Sequence, residues 1–228
     1  MKVAVIQFPG SNCDQDALYS LREDIGVAAE YVWHDSTSLV GFNAVFVPGG
    51  FTYGDYLRCG AMAATAPVMD EVRRFAREGR PVVGVCNGFQ ILCESHILPG
   101  ALMQNVNQKF LGQDCYLKAI NRTSPWTERV EGVVRIPIAH MEGRYVADAE
   151  TLARLEGDGL VAFRYVSPTG ELSEEWNPNG ATNAIAGIVN DKGNVLGMMP
   201  HPERATRKLL GCDDGLAIMS AFRLLPVN

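Results

Sequence analysis

The sequence predicts an α/β fold built on a parallel sheet. Two observations carry this. Short apolar runs alternate with helix-compatible segments through the first half of the chain. Runs apolar on both sides suit strands of a sheet buried on both faces. The length also fits: 228 residues is within reach of one large α/β domain with a substantial core.

Residues 3–8 read as the first strand, stopped by Pro9-Gly10. Ser11 or Asn12 then suits the cap of a helix over 14–24. The second strand is 28–33, and the third is 44–47, stopped by Pro48-Gly49-Gly50. A helical pattern covers 61–78, with a break at Pro67. The fourth strand is 82–85, and 87–95 suits a helix. In the second half, 115–120, 133–138, 161–165, 185–189 and 195–199 read as strands. Gly193-Asn194 suits a hairpin turn between the last two. Asp148 caps a short helix through Leu155, and Asp213 or Asp214 caps a final helix ending at Leu224. Asn177-Pro178-Asn179-Gly180 is a polar loop. No repeat, low-complexity segment or linker divides residues 1–228, so one domain is expected.

Composition narrows the function. Hydrophobic content of 47% and charged content of 20% mark an ordinary globular chain. The net charge is −6, with no Lys/Arg run, which argues against nucleic-acid binding. The apolar stretch at Met1 turns polar at Gln7, too early for a signal-peptide core, and no run is long enough to span a membrane. A cytoplasmic location is expected. The six cysteines form no C-x-x-C pair, and no His stands at zinc-ligand spacing from them, so no metal site is expected. Five of the six read as plain thiols.

The sixth is Cys86. Val82-Val83-Gly84-Val85 runs into Cys86-Asn87-Gly88-Phe89-Gln90. Gly84-x-Cys86-x-Gly88 has the form of a nucleophile elbow, with Cys where hydrolases carry Ser. The flanking glycines let the chain fold back sharply. The thiol then stands above a helix N-terminus, a setting that favours reactive cysteines. The same turn would also suit a small buried Cys at a strand–helix junction.

A cysteine nucleophile needs a base, usually a His oriented by a carboxylate. His201 follows an apolar strand, is stiffened by Pro202, and has Glu203 close by. His140 in Ile138-Ala139-His140-Met141-Glu142-Gly143 is the rival, also after a strand and near a carboxylate. His34 and His96 read as structural. Gly49 and Gly50 after the third strand leave backbone N–H groups accessible to a ligand. One such donor and the N–H of Asn87 would make an oxyanion hole.

Together these pieces resemble the class I (triad) glutamine amidotransferases. Longer blocks resemble a narrower family, the glutaminase subunits of phosphoribosylformylglycinamidine synthases of purine biosynthesis. The blocks are Pro9-Gly10-Ser11-Asn12-Cys13-Asp14, the run from Pro48 to Gly60, Gly84 to Leu92, and Gly197 to Arg204. The resemblance implies a three-layer, flavodoxin-like, mostly parallel sheet flanked by helices. It implies Cys86 as nucleophile, His201 as acid/base and Glu203 as its orienter. Gly49, Gly50 and Asn87 would form the oxyanion loop, and Gln90 would help hold glutamine. His140 and Glu142 move to a substrate-side loop, where Met141 stands in place of the family's Gly. A separate ATP- and Mg-dependent synthetase subunit, and a small accessory subunit, would be partners; no cofactor is expected in this chain. A glutaminase for another synthase, a related cysteine hydrolase and a non-catalytic module of this fold are the alternatives.

Overall fold

In the structure, a computed structural model in which residues 1–224 are described, one large sheet carries the molecule. Its strands are β1 (Lys2–Gln7), β2 (Ala28–Trp33), β3 (Ala44–Val47), β4 (Val82–Val85), β6 (Leu111–Ala119), β7 (Val133–His140), β9 (Val161–Val166), β10 (Ile185–Val189) and β11 (Val195–Met198). They lie in the order β2-β1-β3-β4-β11-β10-β9-β6-β7. The first five are mutually parallel and follow the doubly wound 2-1-3-4-5 pattern, with β11 as the fifth strand. From β11 onward every pairing is antiparallel. The expected mostly parallel, doubly wound sheet is present, and antiparallel strands extend it beyond β11. The cause is local: the short turn before β11, with Gly193 at φ 70° and its N–H on Asn190 O, can only return the chain antiparallel.

Burial follows the same division. β3 and β4 are buried at every position, as strands covered on both faces must be. β7 alternates buried and half-buried residues, the pattern of an antiparallel strand with one drier face. The α-helices are α1 (Asp14–Tyr19), α2 (Val68–Arg77), α3 (Asn87–Glu94), α4 (Ala149–Gly157), α5 (Leu216–Met219) and α6 (Ala221–Leu224). A small separate pair, β5 (Ala101–Met103) with β8 (Arg144–Val146), has only three residues per strand and leaves no readable alternation.

Several local expectations need correction. Neither Ser11 nor Asn12 caps α1. Cys13 holds the N-cap position without a side-chain bond, while Ser11 Oγ accepts from Phe8 N–H at 3.0 Å. The helix widens into a π-helical turn over Ser20–Asp24. Asp213 and Asp214 do not cap the last helix with their side chains. Asp214 Oδ2 instead accepts from Arg135 N–H at 2.7 Å, tying the segment to β7, and the helix is split into α5 and α6. Asp148 does cap α4, accepting from Thr151 N–H at 2.7 Å, and Pro67 stands at the start of α2.

Close approach explains two glycines. A Cβ on Gly88 would lie 1.9 Å from Val47 O, and one on Gly84 would lie 2.6 Å from Gly88 O. Only bare backbone lets α3 sit directly on β3 and β4. Gly88→Ala must push α3 away, at a cost of about 1–3 kcal/mol or more. Denaturant unfolding should show a lowered midpoint with an unchanged slope.

Candidate active site

Adjacent parallel strands set the site. β4 lies between β3 and β11, so the residues that follow them emerge side by side at the C-terminal edge of the sheet. Gly49 follows β3, Cys86 follows β4, and His201 follows β11. Cys86 adopts φ 53° and ψ −109°, a strained conformation for a residue with a side chain. Its N–H bonds Met198 O at 2.8 Å, and its carbonyl accepts from Phe89 and Gln90 N–H at 3.0 and 3.1 Å. Its thiol points across to β7, donating to Ala139 O at 3.6 Å.

His201 and Glu203 are both 1% exposed, and Nδ1 lies 2.7 Å from Glu203 Oε1. Burial disfavours a charged imidazole. The Glu203 carboxylate, and then Cys86 and Cys13 beside it, outweigh burial and hold His201 well above its ordinary value. The His201 N–H donates to Pro137 O at 2.9 Å, which fixes the segment against β7. His201 Nε2 and Glu203 Oε2 are buried without a hydrogen-bond partner. The expected Cys, His and carboxylate are thus brought together, with the imidazole oriented by its neighbour two residues on.

The loop of Gly49 and Gly50 is braced by the turn after β1. Asn12 and Cys13 N–H donate to Gly49 O at 3.4 and 3.2 Å, and Phe51 N–H donates to Gly10 O at 3.0 Å. Gly50 has φ +155°, and a Cβ there would lie 2.8 Å from Ser11 Cα. A Cβ on Gly49 would lie 2.7 Å from His201 Cε1, so the loop passes directly over the imidazole. Asn87 and Gly88 open α3, where amides have no intrahelical acceptor.

His140 lies at the same edge but in a different state. It has no carboxylate partner; Nδ1 meets Asn105 Oδ1 at 3.2 Å. Burial, and then the charge of His201, push it down to about 4. The geometry therefore favours His201 over its rival as the basic group. Gly143 packs flat on the His140 ring, where a Cβ would lie 2.3 Å from it. Gln90 spans the elbow helix and this loop, accepting from Asn87 Nδ2 at 2.8 Å and donating to Glu142 O at 2.6 Å. The Gln90 amide is thus engaged by the protein at both ends. Asn105, which the sequence does not single out, also donates to His140 O at 3.0 Å and accepts from Gly143 N–H at 3.1 Å. Asn105 thus anchors the His140 loop.

Cys13 is the other unforeseen member. It is 7% exposed, and its thiol lies against the His201–Glu203 pair. Burial pushes this thiol up, only partly offset by His201. Burial likewise pushes up the thiols of Cys59, Cys93 and Cys115. Beside the site, Tyr53, Asp55 and Leu57 all have positive φ. This loop is tied by Tyr53 OH to His34 Nδ1 at 2.9 Å and by Arg58 to Glu94 at 2.6 Å, while Tyr56 and Leu57 are exposed.

A cysteine on a strained elbow, a buried His–Glu pair and a glycine loop at the edge of a doubly wound sheet define a triad amidase. The chain belongs to the CobB/CobQ-like glutamine amidotransferase family, whose domain model matches residues 1–225. It is similar to phosphoribosylformylglycinamidine synthase subunit PurQ of Thermus thermophilus, with 57% identity over 95% of each chain. The subunit PurQ of Rhodopseudomonas palustris is 54% identical over 97% of each chain. A chain in the structure of PurLQS from Thermotoga maritima matches with a TM-score of 0.85 and 39% identity, over 98% of this chain and 97% of that one.

The two histidines make opposite contributions to stability. His140 is depressed from 6.5 to about 4, so the unfolded chain takes up the proton first as pH falls. Stability is then lost between about pH 6.5 and pH 4, by about 3 kcal/mol. His201 is raised, so its contribution is complete below about pH 6.5 and is lost as pH rises through its folded value. His140→Gln should flatten the acid limb of the stability–pH curve and leave the alkaline limb unchanged, as read by urea unfolding at stepped pH.

Proposed function

We propose that this chain, as a single domain, is the glutaminase subunit of a phosphoribosylformylglycinamidine synthase. It releases ammonia from L-glutamine for a partner synthetase that converts formylglycinamide ribonucleotide to formylglycinamidine ribonucleotide. The observation that carries the chemistry is the alignment of Gly49–Gly50, Cys86 and His201–Glu203 on three adjacent strands. The likeness to PurQ subunits over nearly the full chain carries the choice of synthase.

The steps follow from the geometry. Cys86 gives its proton to His201, and its sulfur attacks the carboxamide carbon of glutamine. The carbonyl π electrons move to oxygen, and the oxyanion is held by the N–H groups of Gly50 and Asn87. One such donor is worth roughly 3 kcal/mol of barrier. The intermediate collapses, the C–N bond breaks, and imidazolium gives its proton to the departing ammonia. Water then attacks the thioester while His201 takes a proton from it. Glutamate leaves, and the thiol is restored. Glu203 supports the imidazolium in both halves. Neutral His140 and Glu142 line the substrate side, with Gln90 bridging that loop to the elbow.

Released ammonia is nucleophilic only while unprotonated, so it must pass to the synthetase under cover. The Thermotoga relative was solved as PurLQS, which supports a large synthetase and a small accessory subunit as partners. We assign ATP and Mg to the synthetase and the whole assembly to the cytoplasm. Among the described residues, no helix is long and apolar enough to cross a membrane.

Reconstitution with the synthetase tests this directly. Cys86→Ala should lose glutamine-dependent synthesis and keep synthesis from added ammonium salt. Loss of both, or retention of both, would sink the reading. The roles of the histidines separate in steady-state kinetics. His201→Ala should abolish glutamine hydrolysis, His140→Ala should act mainly on KM or on coupling, and Glu203→Ala should cost less than the ~10⁴-fold seen for a serine triad. Normal turnover by His201→Ala with an inactive His140→Ala would exchange the two assignments.

A further inference from the structure

We propose that the side-chain amide of Asn87 is a positioning group for glutamine hydrolysis: it clamps the two halves of the oxyanion hole together and, through Gln90, ties them to the substrate-side loop. The inference rests on the proposed function and gives a second role to a residue whose backbone N–H is an oxyanion donor. Asn87 Oδ1 accepts from Thr52 N–H at 3.3 Å, two residues past Gly50. Asn87 Nδ2 donates to Gln90 Oε1 at 2.8 Å, and Gln90 Nε2 donates to Glu142 O at 2.6 Å. Thr52, Asn87 and Gln90 are 2%, 0% and 5% exposed, so water cannot stand in for these bonds.

This run of bonds has a fixed polarity. It begins at a backbone N–H, which can only donate, and ends at a backbone carbonyl, which can only accept. Thr52 N–H requires Oδ1 of Asn87 on its side, and that turns Nδ2 toward Gln90. Gln90 must then offer Oε1 to Asn87 and Nε2 to Glu142 O. Each amide thus has one orientation that satisfies both of its neighbours. A carboxylate at either position loses a donor, and an alkyl side chain at 87 leaves Thr52 N–H unpaired in the interior.

The anchors belong to loops that follow three different strands. Gly50 and Thr52 follow β3, Asn87 follows β4, and Glu142 follows β7. β7 stands at the edge of the sheet, with β11, β10, β9 and β6 between it and β4, so strand pairing does not set its loop against the elbow. Phe51 and Tyr53 N–H donate to Gly10 O and Pro9 O, at 3.0 and 2.7 Å, and hold the glycine loop to the turn after β1. Thr52 N–H, between them, turns to the elbow instead. Oxyanion donors act only if they are in place before the charge develops. A displacement of about 1 Å is enough to cost on the order of 100-fold in rate.

The test measures glutamine hydrolysis in the reconstituted complex and amide hydrogen exchange in the full chain. Asn87→Ala should lower kcat by about 10- to 100-fold. KM should stay within about threefold, because the displaced donors act on the transition state. Gln90→Glu keeps the size and loses the donor toward Glu142 O. Protonation of the introduced carboxyl restores that donor, and burial against an acceptor favours the protonated form. The ratio of variant to wild-type kcat should therefore rise several-fold as pH falls from about 8 to about 5.5. The carboxyls of Asp55 and Glu142 beside the site are common to both proteins and cancel in the ratio. By NMR, Thr52 N–H should exchange at least about 10-fold faster in Asn87→Ala than in the wild type. It should stay protected in Asn87→Asp, which keeps the acceptor, with circular dichroism confirming each fold. Unchanged kcat or a raised KM alone in Asn87→Ala, a flat ratio in Gln90→Glu, or equal Thr52 exchange in Asn87→Ala and wild type would each overturn the proposal. The exchange readout needs no turnover, so failure of the clamp is told apart from failure of the glutaminase assignment.

Discussion

The backbone of Cys86 is the constraint on which the rest of the site depends. A residue with a Cβ at φ 53° and ψ −109° costs about 1–3 kcal/mol. The sheet offsets that cost. β3 and β11 flank β4 in parallel register, the Cys86 N–H is held by Met198 O, and α3 folds back over the cysteine carbonyl. The glycines at 84 and 88 leave no side chain between helix and sheet. With the turn held from both sides, the thiol has one direction to face, across the strand ends toward β7.

Electrostatics set the second layer. An isolated buried carboxylate or imidazolium would be expelled by desolvation; Glu203 and His201 tolerate burial because they are buried together. His140, at the same edge, has only the amide of Asn105 and is kept neutral. Two histidines a short distance apart are thereby pushed in opposite directions. This is how a site separates a proton carrier from a neutral polar group. Cys13 approaches the same buried pair.

Legibility varied with how locally each feature is determined. β2, β3, β4 and β10 begin and end where the apolar runs do; Pro48 stops β3 and Pro81 precedes β4, while polar residues end β2 and β10 at His34 and Asn190. β6 starts earlier than its composition suggests, since Leu111 is held by pairing opposite His140 rather than by its own propensity. The three-residue strands β5 and β8 carry no period to detect. Asp214 reads as a cap by its type and position, yet Arg135 N–H from β7 takes its carboxylate. The elbow cysteine and the His–x–Glu are legible because each is local in sequence. Asn105 and Cys13 are not. Their roles come from partners at His140 and His201 that only folding brings near.

What the sequence by itself determined is the chemistry and the order of parts. It specified a thiol on a Gly-flanked turn, a glycine loop after an earlier strand, a proline-fixed His with a carboxylate two residues on, and a parallel half-sheet to carry them. Only the tertiary structure decided which histidine acquires the carboxylate, which strands stand next to one another, and which second thiol enters the site. The reason is physical. Turn geometry and strand propensity depend on neighbours along the chain. Burial, pairing and the shift of a titrating group depend on neighbours across it.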